Sequence, residues 1–297
     1  MTRPPRLPAH RDPGDSWAVA PDGTRYWGAF GAAGLLAHDP GRGILLQHRA
    51  AWSHHGGTWG IPGGARHQGE APLAAALREA AEEAGAPADR LRPAAVHVLD
   101  REVWTYTTVV AEVTAAFEPV AGDEESLELA WVPVPEVAAR ELHPGFAASW
   151  PVLREALAHR PVLVVDAANV VGSVPDGWWR DRAGAAQRLV DRLARLASTG
   201  VDAGSLGLPL ERWYPRVTAV LEGAARGARS GPAVRVVDAP GSGDDAVVAR
   251  ARALAAEGWH ATVVTSDRGL RERVAADAQV RGAGWLLELL DAADQSG

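Results

Sequence analysis

The sequence predicts an α/β protein of two domains. Three observations carry that expectation. At 297 residues the chain exceeds the roughly 100–200 residues of one ordinary domain. The first half reads as strands set around one marked helix. From Pro161 onward strands alternate with helices of 10–15 residues, which is the pattern of a mostly parallel sheet.

Taken in order, residues 28–38 and 43–48 read as a strand pair, because Asp39-Pro40-Gly41 between them is turn chemistry. Residues 72–84 carry apolar side chains at helical spacing and stop at Gly85. The β-branched and aromatic run 103–113 predicts a strand, 127–134 another, and 146–158 an Ala-rich helix. The character changes at His159-Arg160-Pro161, so the expected domains are 1–158, with 1–15 flexible, and 159–297. In the second, a strand over 162–171 (VLVVDAANVV) is followed by a helix over 179–197 and strands over 216–222 and 233–238. A helix over 244–257, a strand over 261–265, a helix over 268–277 and a short strand at 279–281 complete it, with 199–210 expected as a flexible loop.

Composition narrows the function. Hydrophobic content of 47% with 23% charged residues fits a globular protein with a sizeable core. No apolar run reaches the length of a membrane-spanning helix. The Pro- and Arg-rich start has no apolar stretch behind it and does not read as a secretory signal. With no Cys there is no disulfide, thiolate zinc site or cysteine nucleophile, which fits a cytoplasmic setting. All 30 basic residues are Arg, so no lysine can serve as Schiff base, general base or phosphate-loop cation. Residues 1–159 hold 13 Arg against 20 acidic residues, and 160–297 hold 17 against 17. This is not the footprint of a strongly basic nucleic-acid binder, and the acidic half suits divalent cations.

The most informative segment is 63–86, GGARHQGEAPLAAALREAAEEAGA. Glu79, Glu82 and Glu83 stand at i, i+3 and i+4, so they share one helical face and repel one another. A divalent cation removes the conflict, since carboxylate oxygens are the ligands Mg²⁺ takes. Trp59 to Gly64 runs a strand into a glycine loop whose backbone can approach a phosphate or offer a carbonyl to the metal. Arg78 can pair with Glu70 and brace the loop.

The segment resembles the Nudix box, Gly-(5)-Glu-(7)-Arg-Glu-U-X-Glu-Glu-X-Gly-U, where U is bulky and apolar. Gly64, Glu70, Arg78, Glu79, Glu82, Glu83 and Gly85 match at the required spacings. Ala80 and Ala86 are smaller than usual at the U positions. The resemblance implies an α/β/α sandwich with a mixed sheet over about residues 16–158. It implies Glu79, Glu82 and Glu83 as metal ligands with the Gly63 carbonyl beside them, and hydrolysis of a nucleoside diphosphate linked to a variable group, aided by Mg²⁺ or Mn²⁺. Catalysis falls to Glu79 and Glu82 with a general base from the box or from Glu124, Glu125 and Glu128. The Trp59–Gly64 run resembles the MutT-like branch, which favours nucleoside triphosphates including oxidised purine ones, with an 8-oxo-dGTP type of diphosphatase leading. Gly63 and Gly64 are expected to approach substrate, Trp104 or Tyr106 to stack on a base, and Gln47, His48, Arg49, His54 or His55 to read polar edges or phosphates.

In the second half Asp166 closes an apolar strand and is followed by Asn169. Asp244 and Asp245 follow Gly241-Ser242-Gly243, and Ser266-Asp267 follows another strand. Residues at strand C-termini of a parallel sheet share one edge, so Asp166, Asp244 and Asp267 can converge on Mg²⁺ or Mn²⁺. Helix capping explains Asp244 or Asp267 alone. The combination resembles the NYN branch of PIN-like nucleases, which implies a metal-dependent ribonuclease over 160–297 with these Asp residues as its catalytic and metal-holding groups. Arg180, Arg182, Arg188, Arg192, Arg268, Arg271 and Arg273 are available to an RNA backbone or to solvent. The expected protein is therefore a pyrophosphohydrolase fused to a ribonuclease, acting on a nucleotide and on RNA, without a membrane and with a homodimer left open. The competing expectation is a nucleotide-sensing module that regulates an RNA-binding or RNA-cleaving one.

Overall fold

Val, Ile, Leu and aromatic runs bury themselves as strands, and an Ala-rich segment packs across them as a helix. A computed structural model describes residues 12–53, 55–122 and 125–295, and the chain divides into two compact units, Met1–Leu157 and Ala158–Gly297. Both are α/β.

In the first unit, β1 (Trp17–Val19) and β2 (Arg25–Trp27) form an antiparallel ribbon. The sheet is built from β3 (Ala32–Asp39), β4 (Gly43–Arg49), β5 (Trp59–Gly60), β6 (Gly63–Ala65), β7 (Leu91–Asp100), β8 (Thr105–Val113) and β9 (Ser126–Val132), with helices α1 (Pro72–Ala84) and α2 (Pro144–Ala156). Its central order is β7-β8-β3-β4-β5, with β6 on β3 and β9 on β4. The β3–β8 pair is parallel, Ala32 opposite Tyr106 through His38 opposite Glu112, and its neighbours are antiparallel, so the sheet is mixed.

Helix α1 has Pro at its start and no β-branched residue, and Gly85 closes it in the left-handed conformation at φ 61°. It lays Ala75, Ala76, Ala80 and Ala84 onto Ala33, Leu35, Ala37, Leu45, Val109 and Ala111. Ala80 and Ala86 are fully buried in this layer, so their small size reflects a helix seated close to the sheet. The amides of Val120 and Gly122 donate to the Ala84 and Glu83 carbonyls, tying the loop before β9 to the end of α1.

The second unit contains β10 (Pro161–Asp166), α3 (Ala167–Gly172), α4 (Arg182–Thr199), β11 (Val201–Asp202), α5 (Ala203–Leu206), β12 (Arg212–Trp213), β13 (Arg216–Leu221), β14 (Val234–Asp238), α6 (Gly243–Ala256), β15 (His260–Val264), α7 (Arg268–Val274), β16 (Gln279–Arg281) and α8 (Ala283–Gln295). Five parallel strands run in the order β14-β13-β10-β15-β16. The order reverses beside β10, and ligands of open parallel sheets bind at the carboxyl ends of strands flanking such a point.

Two expectations need correction. The strand expected over 162–171 ends at Asp166, because its carboxylate accepts the Asn169 amide at 3.2 Å and caps α3, overriding the strand preference of Val170 and Val171. The loop expected over 199–210 is structured. β11 pairs with β12, and Asp202 caps α5 by accepting the Gly204 amide at 3.0 Å. The Trp213 indole also donates to the Pro209 carbonyl at 2.6 Å.

Candidate active sites

The first site is assembled around Arg78. Its guanidinium donates through Nε and Nη2 to the two oxygens of Glu70, both at 2.9 Å, and through Nη2 to the Ala65 carbonyl at 3.0 Å. Nη1 reaches Glu79 at 2.7 Å and Glu82 at 3.2 Å. Glu70 also accepts the His67 amide at 2.9 Å, and Arg66 donates to the Glu70 carbonyl. One planar cation thus fixes the loop between β6 and α1 while touching two glutamates of the acidic face.

Each carboxylate has its own electrostatic setting. Arg78 and then the His67 amide, working against partial burial, hold Glu70 down at about 2. Burial pushes Glu79 above its usual value, only partly offset by Arg78 and reinforced by Glu82 and Glu70. Glu83 is buried and accepts the Gly63 amide at 2.8 Å, whereas the Glu82 side chain is 60% exposed. A Cβ on Gly64 would lie 2.7 Å from the Glu79 carboxylate, so a side chain there would have to push that group aside.

Among the described residues no three acidic or histidine side chains already converge in metal-holding geometry. The donor chemistry nevertheless fits a hard cation. Glu79, Glu82 and Glu83 supply carboxylates beside the Gly63 carbonyl, and burial disfavours the charged form of Glu79, a penalty a cation would relieve.

Sequence reasoning missed the role of Tyr106. Its hydroxyl lies between Gly34 and Gly63: a Cβ on Gly34 would overlap it, and one on Gly63 would lie 2.7 Å from it. Burial, with Glu83 and Glu79 adding to it against Arg49, raises this phenol well above its ordinary value. The Tyr106 hydroxyl is therefore wedged against the glycine loop.

Trp104 is held by the ribbon of β1 and β2. It stacks on Tyr26, centroids 4.9 Å apart and 12° between planes, and its indole donates to the Trp27 carbonyl at 3.0 Å. His48 stacks on Trp59 at 4.7 Å, with Arg140 4.7 Å over the same indole. Gln47 is fully buried and donates to Ser126 at 2.8 Å. Arg49 is half-buried and close enough for its charge to act on Tyr106. His55 adopts φ 53° and meets the ring of His143 edge-on.

Of the distal glutamates, Glu128 is exposed and pairs across β4 with His48, so the pleat puts it on the face opposite Leu45 and α1. Glu125 is exposed in the loop before β9, and its carbonyl accepts the Ala50 amide at 2.7 Å beside a register shift at His48/Arg49. Glu124 and His54 lie outside the described residues.

The second site stands at the carboxyl edge of the parallel sheet. Asp166 is 9% exposed and accepts the Thr265 hydroxyl at 2.9 Å in addition to the Asn169 amide. Asn169 accepts the Ser266 amide at 2.8 Å, tying α3 to the segment that leaves β15. Asp267 caps α7 by accepting the Leu270 amide at 2.7 Å. Asp244 is not a cap. The start of α6 is held instead by Glu222, which accepts the Gly243 amide at 2.7 Å and was not singled out in the sequence.

The charges of Asp166, Glu222, Asp244 and Asp267 act on one another. Burial raises Asp166, with Asp244 and Glu222 adding to it against the Asn169 and Thr265 hydrogen bonds. Burial likewise raises Asp244, with Asp267, Glu222 and Asp245 adding to it against Arg273. Such mutual repulsion of carboxylates is the electrostatic condition that a divalent cation relieves.

Comparison with known proteins settles the family of the first unit. The NUDIX domain family matches residues 29–155. A Mycobacterium tuberculosis protein named as a candidate 8-oxo-dGTP diphosphatase is 50% identical over 166 residues, 52% of this chain and 76% of that protein. A Bifidobacterium longum nucleoside triphosphate pyrophosphatase/Nudix hydrolase fusion protein is 42% identical over 156 residues, 50% of this chain and 32% of its own. The crystal structure of a Nudix hydrolase from M. smegmatis, RenU, is 49% identical, covering 49% of this chain and 96% of its own, with a TM-score of 0.45. This chain belongs to the Nudix hydrolase family, which acts on phosphoric anhydrides and implies a nucleotide substrate. No helix among the described residues is long and apolar enough to cross a membrane.

Proposed function

We propose that the first unit is a metal-dependent diphosphatase for an oxidised purine nucleoside triphosphate such as 8-oxo-dGTP, and that the second is an NYN/PIN-like, metal-dependent ribonuclease. The two compact units are read as two domains, 1–158 and 159–297. The observation that carries the first reading is the clamp in which Arg78 fixes Glu70 and reaches Glu79 beneath the Gly63-Gly64 loop. The half-identical relative named for 8-oxo-dGTP supports the choice of substrate.

Glu79, Glu82 and Glu83, with the Gly63 carbonyl, would hold Mg²⁺ or Mn²⁺. Bound there, the ion screens a diphosphate and acidifies an attacking water. The chain's own residues do the rest. Arg78 keeps the acidic face aligned, and its tie to Glu70 prevents the loop from drifting away from it. Arg49 on β4 is the cation this reading assigns to a phosphate, a role no lysine can take here. Glu125, on the loop tethered to α1 and β4, is the better placed distal base, since Glu128 points to the other face. In the second unit Asp166, Asp244 and Asp267, together with Glu222, would hold the metal at the point where the strand order reverses.

The test is a nucleotide panel with Mg²⁺, containing 8-oxo-dGTP, dGTP, ADP-ribose, a dinucleoside polyphosphate and 5′-triphosphate RNA. The reading expects kcat/KM for 8-oxo-dGTP to exceed that for dGTP by at least about tenfold, the least a reading of the altered base edge should give. Preference for any other compound on the panel would remove the oxidised-purine assignment.

A further inference from the structure

The carboxyl edge of the second unit carries two adjacent indoles that the acidic cluster does not use. Trp178 and Trp179 lie in a short 3-10 turn, Trp178–Arg180, between α3 and α4. Trp179 is 55% exposed, unusual for a residue that is highly buried on average. The chain leaves β10 at Asp166 and returns through α4, an 18-residue helix about 27 Å long, to start the parallel strand β13. The start of α4 and the turn before it therefore lie on the same edge as Asp166. The Gln187 side chain confirms this placement by accepting the Arg229 amide at 2.8 Å, in the loop that follows Glu222 and the turn Gly223–Ala225.

The turn is pinned at both ends. Gly177 adopts φ 85°, the Trp178 amide donates to Asp176 at 3.0 Å, and Asp181 accepts the Gly184 amide at 2.9 Å as the cap of α4. Arg182 lies 5.5 Å over the Trp178 ring, and exposed Arg180 flanks Trp179. An exposed indole flanked by arginine, here Trp179 beside half-buried Trp178, offers what a single-stranded nucleic acid requires: a flat apolar surface for a base and cations for phosphates. A duplex hides its base faces and cannot use them.

We infer that Trp179, supported by Trp178, Arg180 and Arg182, is a stacking subsite for one base of a single-stranded nucleic acid whose backbone continues toward the carboxylates of Asp166, Glu222, Asp244 and Asp267. The inference deepens the ribonuclease reading of this edge. Stacking is tolerant of sequence, so the subsite positions a strand and does not select a motif.

The test is fluorescence anisotropy of a labelled ten-nucleotide strand with the full chain in Mg²⁺, in an Asp244→Asn background that leaves the strand intact. RNA and DNA strands of one sequence, and the matching duplexes, are compared. Trp179→Ala is expected to raise Kd about 5- to 100-fold and Trp179→Phe less than about threefold, the range set by loss of one base stack. An abasic site moved along the strand should weaken binding at one position, and that position should become silent in Trp179→Ala. An unchanged far-UV circular dichroism spectrum and thermal melt of the Trp179 variants, with Trp179 the sole change, show that the second unit is intact. An unchanged Kd in Trp179→Ala, or an equal loss for the duplexes, overturns the subsite. Cleavage of RNA by the wild type with an unchanged Kd in Trp179→Ala rejects the stack while sparing the nuclease. Trp179-dependent binding without cleavage in Mg²⁺ or Mn²⁺ keeps the stack and rejects the nuclease.

Discussion

Replacing Glu70 by Gln tests the clamp directly. The change keeps the size of the side chain but removes the charge that receives both arms of Arg78. Glu70 is held at about 2 in the folded chain against its ordinary 4.5. Its stabilising contribution is therefore complete above pH 4.5 and lost as pH falls toward 2. A shift of about 2.5 units corresponds to a ceiling of about 3.4 kcal/mol. The Glu70 and Arg78 side chains are 15% and 22% exposed, so solvent screening reduces this to about 1–2 kcal/mol. Urea unfolding of wild type and Glu70→Gln, followed at α1 by pulsed hydrogen exchange, should show that gap at pH 7. At pH 3.5 the gap should narrow by roughly 0.5–1 kcal/mol, because the unfolded wild type has begun to take up the proton that folded Glu70 refuses. A gap that is absent at pH 7, or that stays constant between the two pH values, would refute the clamp as a charge interaction.

Three further outcomes are expected. Gly34→Ala should destabilise the first unit by about 1–3 kcal/mol through overlap with the Tyr106 hydroxyl, and adding Tyr106→Phe should recover part of the loss in a thermal melt. No recovery would show that the hydroxyl is not the obstruction. Trp104→Ala should cost about 1–2 kcal/mol by releasing Tyr26 and the Trp27 carbonyl, yet leave KM for the nucleotide within about twofold. A tenfold rise in KM would return Trp104 to the substrate site. Thr265→Val should cost about 1–3 kcal/mol by removing a buried hydroxyl from Asp166. Since burial already raises Asp166 and the lost hydrogen bond had lowered it, the variant should regain stability relative to wild type as pH falls from neutral into the acid range. A deficit in Tm that does not shrink over that range would contradict the assignment.

What the sequence revealed was mostly local. Helix α1 could be read to the residue because its start at Pro72, its Ala spacing and its stop at Gly85 lie within one short segment. The box glutamates were legible for the same reason, and the alternation after Pro161 sufficed for a parallel sheet. What failed depended on distant partners. Strand β7 carries Pro93 and a register shift between Pro93 and Ala95, and it drew no strand signal until β8 paired with it. Helix α8 was missed although its stripe of Leu286, Leu290 and Ala293 is buried. The stack of Trp104 on Tyr26 was not legible because Tyr26 lies far back in the chain. Glu222 and Thr265 joined the second site only through the sheet that brings the ends of β13 and β15 beside β10. Residues such as these have no spacing signature, since their neighbours are set by strand order.

The most direct measurement of the central claim is release of pyrophosphate or phosphate from 8-oxo-dGTP in Mg²⁺ by wild type, Glu82→Gln and Asp166→Asn. Hydrolysis by wild type and Asp166→Asn, with a loss of at least about a hundredfold in kcat for Glu82→Gln, is the result the box geometry predicts. Turnover that survives in Glu82→Gln, or disappears in Asp166→Asn alone, would contradict it.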